Sequence, residues 1–318
     1  MRKFTQKEIL AFFHNMPIVR GVIRWSKANS FPGFSGVPIY DVTVFLYNEI
    51  KRFTLTSRAN SIAFSFFLSL FPFIIVLFTL IAYFPLFDNF KDILEAEINE
   101  IMPGNAGRMV FNAIQDITTI PRKGLMSLSF FLAMFFSSNG MIAMMHGFEK
   151  SYETTYRKRK AWHKRLIAIG LTVLLGTLLV SSVVFIILGN VLLNWLSAYV
   201  DLSGWTEDII RVLRWVGLVL LFYFGISMIY RYGPATRRRF NFLTPGATLA
   251  TILSILSSVI FSFYVESFGT YNKLYGSIGT IIVVMLWIQI NAFVLLVGYE
   301  LNASIAVNRD LKEAREEE

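Results

Sequence analysis

The chain has 318 residues, of which 55% are hydrophobic and 16% are charged, with a mean hydropathy of +0.55. Soluble domains are roughly a quarter charged, so this composition excludes a water-soluble globular protein and indicates an integral membrane protein. The absence of cysteine excludes disulfides, thiolate metal sites and cysteine nucleophiles. Basic loops facing anionic lipid explain the formal charge of +9, so we expect membrane lipids and no nucleic acid as partners.

Residues 1–56 are predicted to form a cytoplasmic N-terminal segment rather than a soluble domain. The turn-rich stretch FPGFSGVP at 31–38 precedes a run with apolar residues at helical spacing. The apolar face of that run consists of Val42, Phe45, Leu46 and Ile50. Two alternatives stay open for it: an interfacial amphipathic helix on the inner leaflet, or a helix packed against the transmembrane bundle.

Residues 57–305 are predicted to form one transmembrane domain of six helices, because six apolar runs approach the roughly 20 residues that cross about 30 Å of hydrocarbon. The six runs are Ile62–Phe84, Leu125–Phe148, Leu166–Leu188, Val212–Tyr230, Pro245–Phe263 and Ser277–Ile305. The sequence therefore indicates an all-α membrane protein, a bundle of about six transmembrane helices. Two alternatives stay open for the third helix: it continues as far as Leu196, or it ends or breaks at Gly189 and Asn190.

The loop near 85–123 joins the first two spans and is acidic, with the turn MPGN between two stretches of helical period. We expect a helical hairpin there, outside the cytoplasm. The last residues, 306–318, read as a charged cytoplasmic tail.

The distribution of the 30 Lys and Arg residues predicts the orientation of the bundle. Of these residues, 23 fall on the side of the chain ends and of the loops between spans two and three and spans four and five. The opposite loops hold seven. The positive-inside rule therefore places both the N-terminus and the C-terminus in the cytoplasm.

Four stretches of the sequence resemble the YihY/BrkB family of bacterial inner-membrane proteins. They are SIAFSFFLSLFPF at 61–73, SSNGMIAMMHGFEKSYE at 137–153, RRRFNFLTPGATLAT at 237–251 and YNKLYGSIGTIIVVMLWIQINAFVLLVGYELNAS at 271–304. The resemblance covers about residues 40–305. It implies a six-helix protein of the inner membrane without an agreed biochemical activity; the older label ribonuclease BN was a misassignment, and other members are named for serum-resistance virulence.

Catalytic motifs are absent from the sequence. The only histidines, His14, His146 and His163, are far apart in the chain, and no HExxH, paired-histidine zinc signature, GxSxG or Gly-rich phosphate loop occurs. We therefore predict no catalytic residue, no metal site and no cofactor, and we expect the protein not to be an enzyme.

Polar residues inside the spans are the candidate functional residues, because each costs free energy in hydrocarbon unless it faces protein or water. Asn139 and His146 are seven residues apart and share one face of span two. The candidate polar track consists of Ser138, Asn139, His146, Glu149, Gln289, Asn291 and Glu300. The alternative is that these groups are bonded to neighbouring helices and only hold the bundle together. For the carboxylate of Glu300 we expect Arg231 or Arg237 as the partner.

Two further features of the spans suggest function. A cluster of small, polar and basic residues precedes span six and could hold a lipid headgroup, the alternative being a turn that only caps the helix. This candidate headgroup contact consists of Tyr271, Asn272, Lys273, Tyr275, Gly276 and Ser277. Pro72, after the small-residue stripe of Ser61, Ser65 and Ser69, is a candidate hinge in span one.

Three classes of function follow from these features. The first is the handling or movement of a lipid or another amphiphile in envelope maintenance, because no span carries the charges of an ion relay. The second is a membrane scaffold that binds an envelope protein partner. The third, a membrane-embedded enzyme, would need the polar residues to converge on an open pocket. The oligomeric state stays open.

Overall fold

Helices make up almost all of the structure, a computed structural model that describes residues 17–51, 54–82, 125–149, 152, 154–199, 204–267 and 277–316. In chain order the helices of this part are α1 (Pro17–Ala28), α2 (Ile39–Lys51), α3 (Thr54–Ala82), α4 (Leu125–Gly147), α5 (Ala161–Tyr199), α6 (Gly204–Tyr232), α7 (Pro245–Ser267) and α8 (Ser277–Glu316). The all-α membrane class predicted from the apolar runs is confirmed. The predicted hairpin near 85–123 lies outside the described residues.

Five helices of the described part, α4 to α8, are long and apolar enough to cross a membrane. The 29-residue helix α3 covers the first predicted span as far as Ala82, and at 1.5 Å per residue it is about 43 Å long. Of the two alternatives for the third helix, the structure shows the continuous one: α5 runs without a break through Gly189 and Asn190 to Tyr199. A helical Gly costs only about 1 kcal/mol relative to Ala, which 39 residues of continuous helix can absorb.

Helices α7 and α8 pack with their backbones in direct contact. A Cβ built on Gly298 would lie 2.6 Å from the carbonyl oxygen of Gly246 and 2.7 Å from the Cβ of Ala250. The amide nitrogen of Gly246 donates to Oδ1 of Asn302 at 2.9 Å, and Nδ2 of Asn302 donates to Oγ1 of Thr244 at 3.0 Å. Asn302 of α8 therefore satisfies one of the amides that the first turn of α7 leaves without a helical partner.

Helices α3 and α4 approach through small residues as well. The amide nitrogen of Gly140 donates to Oγ of Ser69 at 2.8 Å, while that hydroxyl donates to the carbonyl of Ser65 at 2.6 Å. A Cβ on Gly140 would come within 3.0 Å of the ring of Phe66. Ser69, from the small-residue stripe of span one, therefore bonds the backbone of α4 at a close helix approach.

The loops that follow α4 and α6 join at one end of the bundle, which we call the basic end. An isolated β-bridge pairs Tyr156 with Thr236, and the amide of Arg237 donates to the carbonyl of Thr155 at 2.8 Å. The hydroxyls of Tyr156 and Tyr299 share a hydrogen bond of 2.8 Å, which ties the loops to α8. Burial raises the pKa of Tyr156 well above its usual range, so this hydroxyl stays protonated.

Arg159 clamps the end of α6. Its Nη1 donates to the carbonyls of Tyr232 and Gly233, both at 3.0 Å, and its Nη2 donates to the carbonyl of Pro234 at 2.8 Å. Burial, with a smaller contribution from the nearby cations Arg157 and Arg239, lowers the pKa of this guanidinium. The planar fork satisfies the carbonyl of the last residue of α6 and those of the two residues that follow it.

We expect Arg159→Lys to lower the free energy of unfolding by about 2 kcal/mol, because a single ammonium cannot reproduce the forked bonds. Equilibrium unfolding in mixed detergent micelles measures the change. The exposed neighbour Lys160 supplies the control, and Lys160→Gln should leave the stability unaltered. Equal effects of the two substitutions would contradict the assigned clamp.

Helix α2 packs against α8 near the basic end. Val42 and Phe34 are buried in a small cluster with Ile305, and Oγ of Ser304 donates to the carbonyl of Val42 at 3.1 Å. On the predicted apolar face Phe45 and Leu46 are partly buried, and Ile50 is exposed. The contacts of Val42 agree with the packed alternative for this segment, whereas the exposed side of α2 is free to face a membrane surface.

Candidate functional site

A cleft of about 710 Å³ lies between α3 and α4. It is lined by Phe64, Ser65, Leu68, Ser69, Phe71, Pro72, Phe136, Asn139, Ile142 and Ala143. Phe64, Leu68 and Phe71 are each more than half exposed, at 56%, 52% and 59%. In a membrane these walls face hydrocarbon, so the cleft has the surface that an acyl chain needs.

Asn139 places a polar group in this apolar cleft. Its Oδ1 accepts a hydrogen bond of 2.8 Å from Nη1 of Arg165 on α5. The same nitrogen donates to Oγ of Ser138 at 3.0 Å and to the carbonyl of Phe135 at 3.3 Å. Two predicted track residues therefore lie together, and both bind a cation that the sequence interpretation did not include.

The partly exposed guanidinium of Arg165 contacts neutral groups of α4. Its guanidinium carbon lies 4.1 Å from the centroid of the Phe135 ring, a cation–π contact. Within the described residues its hydrogen-bond partners are neutral oxygens, and all of these bonds use Nη1. A guanidinium has five N–H donors, and among the described residues Nη2 and Nε have no hydrogen-bond partner.

His146 and Glu149 form a separate cluster with Lys164. Nδ1 of His146 lies 3.2 Å from Oε2 of Glu149, and Lys164 donates to the other carboxylate oxygen. Burial opposes the charge of Glu149, but the hydrogen bonds from Lys164 and His146 outweigh it and lower the pKa. Both His146 and Glu149 are about half exposed, so this cluster is an ion network at the surface of the basic end.

The lowered pKa of Glu149 predicts a small dependence of stability on pH. Its contribution is present above the usual carboxyl pKa of 4.5 and is lost as the pH falls through the lower folded value. We expect Glu149→Gln to flatten the loss of stability below about pH 5. Unfolding midpoints measured across that range, with the exposed Glu316→Gln as control, test this; parallel curves for wild type and Glu149→Gln would contradict it.

The predicted track residues Gln289 and Asn291 of α8 make hydrogen bonds away from the cleft. Nε2 of Gln289 donates to Oδ1 of Asn60 on α3 at 2.7 Å. Nδ2 of Asn291 donates to the carbonyl of Trp287 at 2.9 Å, one turn back in the same helix. The seven residues therefore fall into separate groups, and only Ser138 and Asn139 share a cation beside the cleft.

Glu300 is fully buried, with an ion-pair partner that differs from the predicted one. Its Oε1 lies 3.7 Å from Nη1 of Arg58 on α3, and that nitrogen also contacts the carbonyl of Gly147 at 3.4 Å. The prediction that Arg231 pairs with Glu300 is wrong, because Nη1 of Arg231 donates to the carbonyl of Phe240 instead. The expected alternative, Arg237, has an exposed side chain.

The remaining predicted features are described only in part. Pro72 lies inside the continuous helix α3 and lines the cleft, and its role as a hinge stays a prediction. Residues 271–276 of the candidate headgroup contact lie outside the described residues, and Ser277 is the first residue of α8. In the described part of the chain no three His, Asp or Glu residues are grouped so that they could hold a metal ion.

Several apolar helices longer than a bilayer is thick, joined by backbone-to-backbone packing, define a multi-span helical membrane protein. Within that class, the family model described as Virulence factor BrkB matches residues 46–318. The chain belongs to this family.

Two kinds of relatives accompany that match. The chain is 32% identical over 270 residues to a Bacillus subtilis (strain 168) protein named ribonuclease-like protein YfkH, covering 84% of this chain and 97% of that protein. It is 27% identical over 282 residues to a UPF0761 membrane protein of Xanthomonas campestris (strain 8004), covering 85% of this chain and 62% of that protein. The family description and the UPF0761 name mention no enzymatic activity, and the ribonuclease-like name belongs to the Bacillus protein. No solved structure matches the chain.

Proposed function

We propose that this protein is a bacterial inner-membrane protein that binds and handles an anionic amphiphile, with a membrane lipid as the substrate class, in envelope maintenance. The observation that carries the proposal is Arg165, bound to Asn139 at the edge of an open apolar cleft. The cleft walls suit an acyl chain, and the remaining guanidinium donors suit a phosphate or carboxylate headgroup.

The position of Arg165 within a span-like stretch of α5 supports this proposal. It stands five residues into α5, inside a stretch with the composition of a membrane span. An ionisable side chain there is costly unless it faces protein, water or a polar ligand. Neutral oxygens solvate the cation without cancelling its charge, so an anionic headgroup would complete the site.

The orientation belongs to the same proposal. The basic end carries the loops with Arg157, Lys158 and Lys160 and with Arg238 and Arg239. By the positive-inside rule this end faces the cytoplasm, which places both chain ends there and puts Arg165 near the inner leaflet. An inner-leaflet lipid would then reach the cleft from the side, between α3 and α4.

A scaffold function is the second candidate, and specific contacts favour it. Gln289 pairs with Asn60, and Asn302 bonds the first turn of α7, so several polar residues of α8 serve helix packing. Such bonds are worth about 0.6 kcal/mol each and need no ligand. A scaffold would use the same bundle to hold an envelope protein partner and would leave the cleft to ordinary lipid.

Mass spectrometry of co-purified lipids distinguishes the two candidates. We expect the wild type to retain an anionic lipid that Arg165→Leu and Asn139→Leu lose by roughly tenfold, the scale of one charge-assisted hydrogen bond. Arg157→Leu is the matched control, because the side chain of Arg157 is exposed at the basic end. Its hydrogen bond to the carbonyl of Ala235 is made by the backbone amide, which the substitution leaves in place. The same mixture of lipids on all four proteins would favour the scaffold.

A further inference from the structure

Helix α1 has two chemically distinct faces, a feature outside the sequence predictions. Val22 and Trp25, three residues apart, lie on one face and are 59% and 54% exposed. Arg20, Arg24 and Lys27 follow one another at four and three residues along the other face. A helix in water does not normally leave a Trp and a Val uncovered on the same side.

The exposed apolar surface continues past the end of α1. Phe31 is 50% exposed, and its ring meets the ring of Trp25 edge-on at a centroid distance of 6.4 Å. Phe34, the next aromatic residue, is buried and makes the following edge-on contact with Phe31 at 5.7 Å. Val22, Trp25 and Phe31, which we call the apolar patch, therefore form one surface attached to the folded bundle.

The contacts of the turn after α1 define where this patch lies. Gly33 has a φ of +88°, and a Cβ there would lie 2.9 Å from Cγ of Pro245, the first residue of α7. On the far side of the turn, α2 is held against Ile305 of α8. The turn is thus attached at the level where α7 begins at the basic end, which is where a bilayer surface would be.

We propose that α1 lies in the bilayer surface at the basic end, with the apolar patch in the acyl boundary and Arg20, Arg24 and Lys27 among anionic headgroups. Charge complementarity identifies the surface that α1 contacts as an anionic lipid bilayer. Three cations on the polar face match anionic headgroups and not an apolar protein groove. Trp is also a residue that prefers the membrane interface. The surface is separate from the cleft, so this inference does not depend on the proposed function.

The absence of cysteine makes the test direct, because each introduced cysteine is unique. Val22→Cys and Trp25→Cys report on the patch, and Arg24→Cys reports on the opposite face as the matched control. Each full-length variant carries an environment-sensitive fluorophore and is placed in nanodiscs of phosphatidylglycerol with phosphatidylcholine, or of phosphatidylcholine alone. Spin-labelled lipid and water-soluble iodide serve as the two quenchers.

The expected result is quenching by spin-labelled lipid that is at least roughly twofold stronger at positions 22 and 25 than at 24, with iodide showing the reverse order. Phosphatidylglycerol should increase the lipid quenching, and Arg24→Gln with Lys27→Gln should remove that increase at position 25. Iodide quenching at 22 and 25 equal to that at 24 would overturn the inference. Efficient disulfide formation between two Val22→Cys chains would also overturn it, since the patch would then be covered by a second copy.

Discussion

Gly246→Ala is expected to lower the free energy of unfolding by about 3 kcal/mol, at the upper end of the cost of overpacking. The added methyl would overlap the carbonyl oxygen of Gly298 and lie 2.5 Å from Cγ of Asn302. Backbone atoms cannot rotate away, so α7 and α8 must separate and the bond from the Gly246 amide to Asn302 must lengthen. Equilibrium unfolding in mixed micelles, with thermal inactivation as a second measurement, detects the loss.

Gly170→Ala is the matched control for that prediction. Gly170 also lies within a transmembrane helix, but nothing would lie within 4 Å of its Cβ. Because Ala has the higher helix propensity, this variant should be as stable as the wild type or more stable by about 0.5 kcal/mol. If both variants behaved alike, the close approach of α7 and α8 would be wrong.

Arg58→Leu is expected to destabilise the bundle on the order of 3 kcal/mol, because it removes a cation that compensates the fully buried carboxylate of Glu300. The substitution also removes the contact with the carbonyl of Gly147, which helps to hold α4 against α3. Unfolding at neutral pH measures the effect. Arg309→Leu, which removes an arginine paired with its chain neighbour Asp310, should cost much less.

A double-mutant cycle tests the cause of that loss. Glu300→Gln removes the charge that Arg58 compensates, so Arg58→Leu should cost far less in a Glu300→Gln background than in the wild type. A coupling of about 1 kcal/mol or more is expected. Strictly additive losses would mean that the two side chains stabilise the bundle independently.

The spans could be predicted from the sequence because each is a run of apolar residues near the length that a bilayer requires. The same reasoning could not predict the partners across helices. Gln289 and Asn60 are 229 residues apart, and their hydrogen bond depends on the rotation of α3 and α8. Asn302, which lies in the same apolar run as Gln289, accepts a hydrogen bond from the amide of Gly246 at the start of α7. Only folding brings these two residues together.

Arg165 shows most clearly why the sequence alone did not predict the whole candidate site. It ends the basic stretch YRKRKAWHKR, where it contributed to the orientation as one of many cations. In the sequence Arg165 directly precedes the apolar run that begins at Leu166, and in the structure α5 begins at Ala161 and includes this arginine in its first turns. The binding of Arg165 to Asn139 still required the register of α4 against α5, which apolar periodicity does not determine.

Helix α1 was missed for a related reason. Its apolar residues are too few for a span, and they are interleaved with basic residues that read as a polar N-terminal segment. The helical spacing of Val22 and Trp25 opposite Arg24 was the available signal. Analysis of the segment by its helical period, rather than by its mean hydropathy, would have shown the two faces.

Photo-crosslinking tests the central claim, that the cleft beside Arg165 binds an anionic amphiphile, most directly. A photoactivatable phosphatidic acid with a reactive group in its acyl chain is added to the purified protein, and the labelled residues are identified by mass spectrometry. The account predicts labels concentrated on the cleft residues Phe64, Leu68 and Phe136, and reduced in Arg165→Leu but not in Arg157→Leu. Labels spread evenly over the exposed faces of the spans, or unchanged in Arg165→Leu, would contradict it.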